Sequence, residues 1–336
     1  MKIRNNRELQ NYFRRCMRNL ENDYQNDYIG VIIESAADEV NIKKELAALG
    51  DKEFSQDGQG PSLYLSSQAY QKTPYNRQIS LRDCRQAGFE YRDFLMPANE
   101  LLNVDVLQDD PKRELNDYLI LRAFDEPYKC CALLQDGQFW MSDNPAEANT
   151  IDPFALKARG RVLTFGLGIG YFVYMALANP AVAEVWVVEY NPEVIRLFEQ
   201  CLKSQFPRND RIHIIQGDAF AFFNAEFLAD FDYVFVDIWK DHQDGLECIS
   251  RFLENYLPPF AKVDFWIERT CYEPLMARML VYFAALAKGQ FKLDDRYYRK
   301  IHAYFKKIKK TIEQSDDLKN YIYDPTVIRA ILHEQV

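Results

Sequence analysis

The chain has 336 residues, 48% of them hydrophobic, with a formal net charge of -9 and a pI near 5.2. This length supports a full core and more than one domain, and the acidic balance argues against nucleic-acid binding by bulk electrostatics. No apolar run approaches the roughly 18 residues that a membrane span needs, so a cytoplasmic protein without membrane contact is expected. The seven cysteines show no C-x-x-C spacing and sit in apolar contexts such as KCCALL, which predicts reduced core thiols. His213, His242, His302 and His333 form no cluster with cysteine, and no metal site is expected from them.

From Arg7 to about Gly50, apolar residues recur at helical spacing: Leu9, Tyr12, Phe13, Met17 and Leu20, then Ile29, Ile32, Ile33, Ala36, Val40 and Leu46. The spacing predicts two amphipathic helices. Asp51 to Ser62 is rich in glycine and polar residues and reads as an exposed loop, and a further helix is expected near Ser80 to Gly88. Residues 1-110 are therefore expected to form a helical accessory domain. Residues 111-160 hold a hairpin and a linker helix. The hairpin follows from YKCCALLQDGQFWMS, where two apolar strands flank Asp136-Gly137, and the helix covers Ala146 to Ala158.

From Arg161 strands and helices alternate. VLTF, EVWVVEY, RIHIIQGDA, FDYVFVDIW and KVDFWIE read as strands, and YFVYMALA, PEVIRLFEQCLKSQF and GLECISRFLENYL as the helices between them. This alternation over 161-270 predicts an α/β domain with a doubly wound, mainly parallel sheet. Residues 271-336 revert to helix in EPLMARMLVYFAALAKG, RYYRKIHAYFKKIKKTIEQ and a last segment near Val327 to His333. In that tail, Arg296, Arg299, Lys300, Lys306, Lys307, Lys309 and Lys310 lie among aromatics, a composition that grips phosphates and makes RNA one partner to consider. On a helix, however, Tyr297, Ile301, Tyr304, Phe305 and Ile308 share one face, as in a helix docked on the domain.

The chemistry concentrates in RVLTFGLGIGYF. Gly166, Gly168 and Gly170 follow a strand at alternate positions, letting bare backbone around Leu167 approach a ligand. The spacing G-x-G-x-G is not the dinucleotide pattern G-x-G-x-x-G, and it favours a nucleoside without a pyrophosphate. Glu189 ends the second strand about twenty residues on, next to Tyr190, where a carboxylate can accept from both ribose hydroxyls. Asp218 and Ala219 end the third strand, with Asp218 placed to accept from an adenine amino group. Asp237 ends the fourth.

These four segments, VLTFGLGIGY, VVEYNPEVI, IIQGDAF and FDYVFVDIW, resemble in order the class I S-adenosylmethionine-dependent methyltransferases, a Rossmann-like fold, over Val162 to Glu268. The resemblance implies S-adenosylmethionine as cofactor, its methionine end at the glycine loop, its ribose at Glu189 and its adenine at Asp218. FWMSDNPAEANT before GLGIGY also resembles uncharacterised bacterial members. Thr164 stands where the family usually carries an acidic residue.

VFVDIWKDHQD resembles the corresponding stretch of catechol O-methyltransferases, which implies magnesium at Asp237, packing by Trp239 and a base at Lys240. The family's adjacent metal-binding pair is replaced by Glu268-Arg269, and an arginine opposes a cation's charge, so magnesium is disfavoured. The alternative is aminopropyl transfer, because LLQDGQFWMSD resembles the hairpin before the core of spermidine synthases. Those enzymes carry two aspartates three apart, whereas Asp237 and Asp241 are four apart. A third reading is a non-catalytic interaction protein on the same fold. The sequence favours methyl transfer to a small molecule, with Asp237, Lys240 and Asp241 as candidate catalytic residues.

Overall fold

The computed structural model describes residues 1–20, 25–81, 84–107, 115, 118–290 and 295–336. Five parallel strands form its central sheet: β1 (Gly160–Phe165), β2 (Val182–Glu189), β3 (Ile212–Gln216), β4 (Tyr233–Val236) and β5 (Val263–Phe265). Their order is β3-β2-β1-β4-β5, consistent with a Rossmann-like fold in a mixed α/β protein. All four residues of β4 are buried, as expected for a parallel strand covered on both faces.

Side-chain caps start the connecting helices. Asn191 accepts from the Glu193 amide (2.9 Å) ahead of Pro192–Cys201, and Asp241 accepts from the Gln243 amide (2.8 Å) ahead of His242–Asn255. β5 stops earlier than KVDFWIE suggests. The Trp266 amide still bonds the Val236 carbonyl (2.9 Å), but Ile267 adopts φ +42° and a long helix, Glu268–Ala287, begins at once.

The N-terminal segment is not all helical. Helices Arg7–Leu20 and Ala36–Ala48 form, but Ile29, Ile32 and Ile33 precede the second, which starts where Ser35 accepts from the Asp38 amide. The helix expected at Ser80 to Gly88 is absent among the described residues. Ala87 (φ +44°) and Gly88 (φ +88°) instead make a two-residue turn that pairs Cys84–Gln86 with Phe89–Met96. Two successive positive φ values suit the twist of a hairpin and break a helix. The expected hairpin at Asp136-Gly137 forms between Tyr128–Gln135 and Gln138–Ser142 and joins the first in a four-stranded antiparallel sheet. A three-stranded sheet of Tyr64–Leu65, Tyr118–Phe124 and Leu102–Leu107 lies beside it. The boundary expected near Pro111 falls outside the described residues.

The linker helix runs Pro145–Lys157, with Asn144 accepting from the amides of Ala146 (2.9 Å) and Glu147 (3.1 Å). At the C-terminal end the expected long helix is split. Arg296–Phe305 is helical, and Thr311–Ile312 pairs in parallel with Lys2–Ile3. Lys306 and Lys310 would be like charges at i,i+4 in a continued helix, whereas the strand is held by the Lys2 amide on the Lys310 carbonyl and the Arg4 amide on the Ile312 carbonyl, both at 2.9 Å. Ile301 and Phe305 are buried, and the Lys300 ammonium is tied to the carbonyls of Leu332 (2.7 Å) and Glu334 (2.6 Å), so this helix is docked. Among the described residues no helix is long and apolar enough to cross a membrane.

Candidate functional site

The carboxyl ends of β1, β2, β3 and β4 open onto a cavity of ≈ 330 Å³. Gly166, Leu167 and Gly168 border it from the loop after β1, Glu189 and Tyr190 from β2, and Asp218 and Ala219 from β3. Asp237, Trp239 and Lys240 border it from the loop after β4, and Thr164 from within β1.

The glycine loop is held by its surroundings. Gly166 has φ +95°, and a Cβ there would collide with the backbone carbonyl of Asp237; at Gly168, φ +51°, a Cβ would collide with the Met141 thioether. Gly170 has a different task. It precedes helix Tyr171–Ala178, its amide bonds the Leu167 carbonyl (2.7 Å), and it packs on Phe198 and Phe206 rather than bordering the cavity. Behind the loop, the Tyr91 hydroxyl donates to the Gly168 carbonyl (2.7 Å) and the Tyr75 hydroxyl to the Ile169 carbonyl (2.8 Å). The N-terminal segment thus fixes the loop through two of its carbonyls.

Glu189 ties two loops together. Its Oε2 accepts from the Leu167 amide (3.0 Å) and its Oε1 from the Asn191 amide (2.8 Å), while burial raises its pKa. Each oxygen keeps a further lone pair for a ligand. Asp218 is exposed and caps the helix Ala219–Phe222 by accepting at Oδ1 from the Phe220 amide (3.0 Å), which leaves Oδ2 outside the capping bond. Tyr190 is 75% exposed at the rim.

Burial pushes the Asp237 carboxyl up to about 7. Lys240 is exposed at the mouth. Asp241 does not border the cavity; its carboxylate is engaged as the cap of His242–Asn255. Glu268, where the sequence resemblance would put a metal-binding pair, is held by Arg329, whose Nε donates to Oε1 and Nη2 to Oε2, both at 2.6 Å. Among the described residues no group of three or more His, Cys, Asp or Glu side chains is placed to hold a metal ion.

Other residues reach the cavity without a motif to announce them. Trp140 and Met141 come from the antiparallel sheet, Tyr171 from the helix after the glycine loop, and Trp266 from the end of β5. Glu147 comes from the linker helix, and its carboxyl is pushed up to about 8, first by burial and then by the charges of Asp237 and Asp143. In sequence it is an N3 glutamate after an Asn cap, the pattern of a capping box. Its side chain bonds no backbone amide among the described residues, and that departure is what marks it as a cavity residue.

No protein-family model matches the chain, and no curated protein does. Among solved structures it is similar to a probable spermidine synthase from Corynebacterium glutamicum ATCC 13032, with 15% identity over 38% of this chain and a TM-score of 0.29. The chain spans 53% of that structure's length. A likeness of that size defines neither a fold nor an activity.

Proposed function

We propose that this cavity binds S-adenosylmethionine and that the protein is a methyltransferase acting on a small molecule. One observation carries the reading: Gly166, Gly168, Glu189, Asp218 and Asp237, singled out at four successive strand ends, border a single cavity. It lies where the strand order reverses beside β1, the usual ligand position on such sheets, and on this reading the domain is doubly wound. The residues fit the cofactor. The glycine loop bares backbone to its methionine end, Glu189 has lone pairs left for the ribose, and Oδ2 of Asp218, outside the capping bond, is left for the adenine amino group.

When bound, the cofactor supplies a methyl group activated by an adjacent sulfonium. The chain's own contribution is alignment, which suffices for much of the rate in a transfer of this kind. Tyr91 and Tyr75 keep the loop in place, the aromatic wall excludes water, and Asp237 positions the acceptor. Lys240 borders the cavity and is the favoured base, while Asp241, whose Oδ1 caps the next helix, lies outside the cavity lining. Aminopropyl transfer is the second reading, supported by the hairpin that delivers Trp140 and Met141 to the cavity wall.

Calorimetric titration with S-adenosylmethionine, S-adenosylhomocysteine and decarboxylated S-adenosylmethionine separates the two. Binding of the first two is expected, and preference for the decarboxylated form would establish aminopropyl transfer instead. No heat with any of the three would refute cofactor binding.

A further inference from the structure

Glu147 and Asp237 border the same cavity from different elements, the linker helix and the loop after β4. Both are only partly exposed. Among the described residues neither carboxyl has a hydrogen-bonding or ion-pairing partner, and each senses burial as its main influence. A buried carboxylate without a partner is costly, and two within electrostatic reach of each other are costlier still. The cavity offers no cationic side chain to relieve them except Lys240, which is exposed at its mouth. The surrounding wall is aromatic, with Trp140, Tyr171, Trp239 and Trp266, and ring faces attract organic cations. A divalent metal is a poor match, because it demands many oxygen ligands and among the described residues no three carboxylates, histidines or cysteines are grouped to supply them.

We propose that Glu147 and Asp237 form an ammonium-binding pair, so that the acceptor in this cavity is an aliphatic primary amine. The assignment rests on the transferase reading and names the acceptor class that reading leaves open. Glu147 accounts for the choice of a cation over a neutral hydroxyl compound, which gives neither carboxyl a counter-charge on ionising. In this role it is a specificity-determining residue.

The test is a nuclear magnetic resonance titration of the full chain with n-butylamine and with n-butanol, its neutral counterpart, each with and without saturating S-adenosylhomocysteine. The amine is expected to shift resonances of Trp140, Trp239 and Trp266 side chains, with the alcohol binding about tenfold more weakly or not at all. Glu147→Gln and Asp237→Asn should each weaken amine binding by about tenfold, while Glu147→Gln leaves S-adenosylhomocysteine affinity unchanged. Equal binding of amine and alcohol, or wild-type amine affinity in both variants, overturns the proposal. Failure of S-adenosylhomocysteine to bind counts against the cofactor reading alone, because the titration without it still reads the amine pocket. Should one variant fold poorly by circular dichroism, the other supplies the decision.

Discussion

At the scale of single residues, the two cavity glycines are constrained by unequal obstacles. Gly166 faces the backbone carbonyl of Asp237, which cannot move without shifting the end of β4, whereas Gly168 faces the flexible side chain of Met141. Gly166→Ala should therefore abolish cofactor binding and lower the melting temperature clearly. Gly168→Ala should do less of both and be partly rescued by Met141→Ala. Calorimetry and thermal denaturation of the three variants check this, and equal effects at both glycines would contradict it. The carboxyls make a second residue-scale prediction. Asp237 is raised from 3.8 to about 7 and Glu147 from 4.5 to about 8, so the folded chain holds these protons more tightly than the unfolded chain does. Their stabilising contribution is present at low pH and is lost as pH rises through about 7 to 8. The melting temperature of Glu147→Gln should accordingly fall less than that of the wild type between about pH 5 and pH 8; parallel curves would refute the assignment. The glycines, Glu189, Asp218 and Asp237 were legible in the sequence because each sits at a strand end that periodicity locates. Tyr91, Trp140 and Glu147 were not, since only the pairing of distant strands and the docking of the linker helix bring them to the cavity.

At the scale of elements, sequence periodicity located β1 to β4 well because their apolar runs are long and bounded by glycine, asparagine or aspartate. It failed where a local turn outweighed a helical pattern. Ala87-Gly88 is a weaker hairpin signal than Asp136-Gly137, and the alternating burial of Phe89 and Tyr91 appears only once Tyr128–Gln135 lies beside them. The end of β5 shows a comparable override. Ile267 takes a left-handed conformation that a β-branched residue rarely adopts, and the neighbouring Glu268–Arg329 pair anchors helix Pro325–His333 to the strand end. Arg329 is 1% exposed and also donates to the Val263 carbonyl (2.9 Å). Removing it leaves the half-buried Glu268 with the Tyr272 hydroxyl (2.5 Å) but no cation, so Arg329→Ala should cost about 3 kcal/mol. The double variant with Glu268→Ala should cost less than the sum of the single ones, because the stranded charge goes with it. Urea denaturation of the four proteins measures the coupling. Strict additivity would mean that the pair contributes nothing as a unit.

At the scale of the whole molecule, the buried residues separate into a main core and two smaller ones. The main core joins the parallel sheet to Tyr75, Phe89, Tyr91 and Leu133 of the N-terminal segment, whereas Ile33, Ile42, Leu46, Leu63 and Leu121 form a core of their own around helix Ala36–Ala48. The glycine loop belongs to the first. Its carbonyls are bonded by Tyr75 and Tyr91, so a ligand that orders the loop also stabilises the strand carrying Tyr91. The linker helix meets strand Leu102–Leu107, where the Asn149 amide donates to the Val104 carbonyl (2.9 Å), and not the residues of the second core around helix Ala36–Ala48. Local opening free energies differ between such units, and a ligand protects only those that must open to release it. Saturating S-adenosylhomocysteine should therefore slow amide hydrogen exchange in the glycine loop and in Phe89–Met96, while leaving the helix Ala36–Ala48 at its ligand-free rate. Equal slowing in that helix would show that the two cores open as one. Slowing confined to the glycine loop would show that the tyrosine bonds do not couple the N-terminal sheet to the site.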